Sequence, residues 1–77
     1  MEITITNCRY TPKWETLEKI IREAVGEPEE SRGRITRISR CDKCCDYRQP
    51  GKFNLEFIRG DNTVLPIHLN IVSGGLN

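Results

Sequence analysis

Aromatic side chains are scarce in this sequence, with one Trp, two Tyr and two Phe in 77 residues, and no apolar run approaches the roughly 18 residues of a membrane-spanning helix. Glycine-rich phosphate loops, nucleophile elbows and paired-carboxylate motifs are absent. A lone histidine, His68, leaves no second imidazole for an acid and base pair. The opening Met1-Glu2-Ile3-Thr4 lacks the basic start and apolar centre of a secretory leader, which predicts a cytoplasmic protein with no membrane association. Small-molecule chemistry needs a pocket of about 300 Å³ or more, and one helix on one sheet encloses none easily. The expectation is therefore a protein that is not an enzyme.

What remains is 36% hydrophobic and 30% charged, with a net charge of +1. A chain this short permits one domain, expected over residues 1–72, followed by a frayed tail at 73–77 (Ser73-Gly74-Gly75-Leu76-Asn77). Domains below roughly 70 to 80 residues rarely gain more than about 3 to 5 kcal/mol from their core. The near-neutral total conceals an uneven layout. Residues 1–31 hold four basic and seven acidic side chains, a balance of −3, whereas residues 32–59 hold eight basic and three acidic ones, a balance of +5.

Glu2 to Asn7 alternates apolar and polar, the pattern of a strand with Ile3 and Ile5 inward. Thr11 can cap a helix whose first position is Pro12, and Trp14, Leu17, Ile21, Ala24 and Val25 recur at helical spacing up to a stop at Gly26. Glu15 and Lys19, and likewise Glu18 and Arg22, are four apart and would pair on the solvent side. Ile35 and Ile38 are three apart within a β-rich segment, so strict alternation would split them between faces and a bulge is expected. Lys52–Arg59 and Thr63–Val72 form a hairpin through Gly60-Asp61-Asn62, with Phe53, Leu55, Phe57, Leu65, Ile67, Leu69 and Ile71 inward. Pro66 has no ladder donor, which places its strand at an edge or at a bulge. The predicted fold is α+β, a two-layer β-α-β-β-β arrangement with one helix on one face of a four-stranded mixed sheet. Thr4, Thr6, Asn54, Glu56, His68 and Asn70 would occupy the open face.

Cys8 follows the first strand and Cys41 the second. If those strands are parallel neighbours, the two residues end side by side, about 5 Å apart at the backbone. A C-x-x-C turn suits tetrahedral zinc, so Cys41 and Cys44, with Cys8 and either His68 or Cys45, would hold one structural Zn²⁺. The competing reading is four reduced thiols, some packed as small hydrophobes. A third reading uses Cys41 and Cys44 as a thiol redox pair, although no helix follows the motif as it would in a thioredoxin-type site.

Arg32, Arg34, Arg37, Arg40, Lys43, Arg48, Lys52 and Arg59 form a basic band over the second strand and the cysteine loop. Plain alternation puts Arg34 and Arg40 on one face and Arg37 on the other, unless the bulge resets the register. Arg59-Gly60-Asp61 spells an integrin-binding tripeptide, but its glycine and aspartate are what a hairpin turn requires. The leading expectation is a small regulator, adaptor or inhibitor, monomeric or homodimeric, that docks on a larger protein or ribonucleoprotein. Tyr10, Arg40, Lys43, Tyr47 and Arg48, at the cysteine end, would form the contact surface. The alternative is direct nucleic-acid binding through the Arg-rich second strand, with Arg34, Arg37 and Arg40, and the cysteine loop, which the zinc would stabilise.

Overall fold

The computed structural model describes residues 1–28, 30–43 and 46–74. Along these run β1 (Glu2–Ile5), α1 (Trp14–Val25), β2 (Arg34–Arg40), β3 (Lys52–Ile58) and β4 (Val64–Ile71). The strands form one mixed sheet in the order β1-β4-β3-β2, with α1 on one face, the α+β architecture that the periodicities predict. Leu17 and Ile21 of α1 pack against Ile35, Phe53, Leu55, Phe57, Ile67, Leu69 and Ile71. No helix among the described residues is long and apolar enough to cross a membrane.

The expected bulge is present, and it sets the register. Ile35 opposes Phe57 and Arg37 opposes Glu56, so Thr36 is the extra residue and its hydroxyl donates to the Glu56 carbonyl at 3.2 Å. Ile35 and Ile38 thereby share the core face despite their odd spacing. Arg34, opposite Ile58, and Arg37, opposite Glu56, fall together on the open face, while Arg40, opposite Phe53, turns inward. Plain alternation had paired Arg34 with Arg40.

β1 is not beside β2. It pairs in parallel with β4 at the far edge, and the two strands joined by α1 run in the same direction with β3 and β4 between them. Pro66 accordingly lies in a central strand rather than at an edge. Its nitrogen is on the β1 side, and there pairing starts only two residues later, where the His68 N–H donates to the Met1 carbonyl at 2.8 Å. The missing donor costs no ladder bond because the strand is locally an edge. The hairpin is as expected. The Arg59 N–H donates to Thr63 at 2.8 Å, and Asn62 takes the left-handed conformation with φ of 70°.

α1 begins later than Thr11 and Pro12 suggested. Lys13 is the N-cap and makes no side-chain capping bond, since an ammonium has no acceptor to offer, and the Thr11 hydroxyl donates to the Gln49 carbonyl instead. Gly26 ends the helix as expected, at φ of 79°, with its N–H on Glu23 and that of Glu27 on Arg22, a Schellman pair. Glu18 and Arg22 do not pair on the solvent side. Glu18 Oε2 accepts the Ile35 N–H at 3.0 Å and Arg22 Nη1 donates to the Gly33 carbonyl at 2.9 Å, so both cover the free edge of β2. Ala24 and Trp14, read as core residues, are exposed.

A candidate docking groove beside the cysteine loop

Arg40 organises the chain between β2 and β3. Its side chain is only 4% exposed, and all five guanidinium donors are engaged. Nε and Nη2 grip the Asp42 carboxylate, Nη1 donates to the carbonyls of Asp46 and Gln49 at 2.7 Å each, and Nη2 donates to that of Pro50 at 2.7 Å. Only arginine offers a planar fork of this reach. Its central carbon lies 4.9 Å from the centroid of the Phe53 ring, and the Arg40 N–H donates to the Tyr47 hydroxyl at 3.2 Å. A Cβ on Gly51 would collide with Arg40 Nη2 and Asp42 Oδ2, so a side chain there would displace the Arg40–Asp42 pair. Arg40, expected on a contact surface, has a largely buried side chain that braces the loop.

The braced loop folds back beside α1. The Thr11 N–H donates to the Arg48 carbonyl at 2.8 Å and the Thr11 hydroxyl to that of Gln49 at 3.0 Å, tying together segments far apart in sequence. Between them lies an open groove of about 720 Å³, lined by Tyr10, Lys13, Trp14, Tyr47, Arg48 and Gln49 over a floor that includes Leu17, Ile38 and Phe53. A helix on a sheet was not expected to form such a space. The loop, rather than the two layers, builds it. Tyr10, Trp14 and Tyr47 are 61%, 46% and 49% exposed. Trp14 is held along the helix by its Nε1 donating to Glu18 Oε2 at 3.1 Å. The helical periodicity had assigned Trp14 to the core, although as the first residue of α1 it had no preceding turn to cover it.

The remaining sites predicted from sequence disperse. Cys8 donates its N–H to Val72 beyond β4, and Cys41 donates to Lys52 on β3. These positions are three strand spacings apart, roughly 14 Å laterally, instead of side by side. Cys8 is half-buried against the core and Cys41 is exposed. His68 is on the open face, with Glu2 opposite on β1 and Asn54 opposite on β3. Among the described residues no three His, Cys, Asp or Glu side chains converge as a metal site would need. Cys44 and Cys45 lie outside the described residues, as do Glu29 and the tail residues 75–77. Lys43 and Arg48 are exposed at the loop, whereas Arg34 and Arg37 sit on the open sheet face.

At the opposite end of β3, the Arg59-Gly60-Asp61 turn is clamped rather than presented. Glu27 Oε1 accepts the Ser31 hydroxyl at 2.6 Å and the Gly60 N–H at 2.9 Å, and Oε2 accepts Arg59 Nε at 3.2 Å. The Ser31 hydroxyl, then the Gly60 N–H and the Arg59 guanidinium, hold the Glu27 carboxyl below its ordinary value. Hydrogen bonds from the Arg48 N–H and from Thr63 lower the carboxyls of Asp46 and Asp61 in the same way.

Compared with known proteins, the chain matches no family model, no curated protein and no solved structure.

Proposed function

We propose that this is a small non-catalytic binding protein, a regulator, adaptor or inhibitor, that docks on a larger macromolecule through the groove between α1 and the Arg40-braced loop. One observation carries the reading: three half-exposed rings, Tyr10, Trp14 and Tyr47, surround one apolar floor. Exposed apolar clusters of this kind mark interaction surfaces, and Trp, Tyr and Arg dominate binding energy where they occur. The described lining includes no carboxylate, imidazole or thiol, a poor set for proton transfer or nucleophilic attack. A cytoplasmic location belongs to the same reading, since an exposed thiol such as Cys41 stays reduced there.

Direct nucleic-acid binding is the second reading, favoured by one observation. The bulge brings Arg34 and Arg37 onto the open sheet face that also carries Lys52. That face shows no aromatic ring among the described residues, because Phe53 and Phe57 point into the core, and Glu2 and Glu56 offset its charge.

Affinity capture from source cells separates the two. The groove variant Tyr10→Ser with Trp14→Ser is expected to lose the partner that both the parent and an Arg34→Ser, Arg37→Ser variant retain. Loss confined to the arginine variant, with retention that falls steeply as salt is added, would instead favour nucleic acid.

A further inference from the structure

We infer that the occupant of the groove is an acidic polypeptide segment carrying one bulky apolar side chain, an inference that rests on the docking reading above. The floor sets the first requirement. Leu17 and Phe53 are buried and Ile38 is half-buried, so the apolar surface that a ligand meets is chiefly that of the exposed Tyr10, Trp14 and Tyr47 rings. A bulky apolar anchor laid against these rings is withdrawn from water at little desolvation cost. The rings of Tyr10, Trp14 and Tyr47 stand around this floor and wall in a single anchor.

Charge sets the second requirement. Lys13 and Arg48 line the groove, and no carboxylate does among the described residues. Of the carboxylates on the flanking segments, Glu15 is exposed in the first turn of α1, and three others are occupied. Glu18 accepts from Trp14 and Ile35, Asp42 from Arg40 and Lys52, and Asp46 from the Arg48 N–H. The Arg48 side chain is 87% exposed, with only Nε approaching Asp46, at 3.5 Å. Among the described residues Lys13 has no ion pair. A cationic segment would be repelled by Lys13 and by the outer face of Arg48, while Asp or Glu flanking the anchor would pair with them. A cavity of about 720 Å³ suits a short segment rather than a whole domain face.

Trp14 is the only tryptophan, so its emission reports occupancy directly. The intact protein would be titrated with a synthetic Asp- and Glu-rich peptide bearing one central Phe. Three comparison probes are the same peptide with Phe→Ala, the same peptide with its acids replaced by Lys, and an oligothymidylate of similar charge. The readouts are Trp14 emission and the backbone amide shifts of Ile38, Tyr47 and Gln49. The acidic Phe peptide is expected to bind at least about tenfold more tightly than any other probe, and to weaken by about tenfold as salt rises from about 0.05 to about 0.5 M. Lys13→Glu with Arg48→Glu should cost it at least about tenfold and should improve binding of the lysine peptide. Equal or tighter binding of the lysine peptide or the oligothymidylate, or no groove shift with the acidic peptide, would overturn the inference. The docking reading fails separately, if cellular capture is insensitive to the Tyr10 and Trp14 substitutions.

Discussion

Replacing Arg40 by lysine keeps the charge and most of the stem while removing the planar fork, which makes it the most informative perturbation of the groove's supporting wall. The guanidinium makes five donor contacts, to one carboxylate and three backbone carbonyls, and an ammonium has three donors at a single point. Two or more of these bonds must go, from the Asp42 carboxylate or from the carbonyls of the 46–50 segment. Net hydrogen-bond contributions run at about 1 kcal/mol, and those to charged groups at about 1.5 to 3 kcal/mol. The Asp42 side chain is 35% exposed, so water screens its share, and the loop can open locally to rehydrate freed carbonyls. We therefore expect a loss of about 2 to 3 kcal/mol, which in a domain of this size lowers Tm by about 10 to 20 °C. Thermal and urea unfolding followed by circular dichroism measures the loss. Amide hydrogen exchange should show faster opening at Tyr47, Arg48 and Gln49 before any change in β3 or β4. A lysine variant within about 0.5 kcal/mol of the parent, with loop exchange unchanged, would refute the reasoning that Arg40 braces the groove.

Other perturbations test separate parts of the account. Deleting Thr36 should leave the fold intact within about 1 kcal/mol, because Ile35, Arg37 and Ile38 then alternate in their present pairings; deleting Ser39 should unfold it, since Arg40 would be thrown onto the open face. Two-dimensional NMR of both variants decides this, and an unfolded Thr36 deletion would mean that the bulge is required for more than register. Thr11→Val removes the hydroxyl bond to Gln49 and should cost about 1 kcal/mol, read as a drop in Tm of about 4 to 8 °C. For Glu27 the carboxyl is lowered in the fold, so between its folded and unfolded values the unfolded chain binds more protons. Its contribution is then complete above the ordinary carboxylate range and lost as pH falls through the lowered value. Glu27→Gln should accordingly be less stable at neutral pH and show a shallower decline below about pH 4 in pH-dependent urea unfolding. A decline as steep as the parent's would remove Glu27 from the acid-sensitive set.

Much of the fold is legible in the sequence because its signals are local. The hairpin from Lys52 to Val72 carries strict alternation and a Gly-Asp-Asn turn, and the uneven spacing of Ile35 and Ile38 announces the bulge. Strand order is a different matter. Nothing in the alternation of Glu2 to Asn7 says which strand it joins, and β1 chose β4 over β2. That choice is what separates Cys8 from Cys41. Pro66 misled for a related reason, since a proline signals an unpaired donor at one point and not an edge along a whole strand. The inward turn of Arg40 was available once the bulge was placed, because Ile38 faces the core and Arg40 is two residues on. The groove was the least legible feature. It depends on Thr11 meeting Arg48 and Gln49, contacts that no short-range pattern encodes.

The most direct test of the groove as the docking surface is fluorine NMR of the protein carrying fluorotryptophan, whose single site at Trp14 gives one resonance free and bound. In the complex captured from source cells, that resonance should shift and lose its solvent isotope effect as the groove is covered. A complex that forms while the Trp14 resonance stays in place and fully solvent-sensitive would contradict the account.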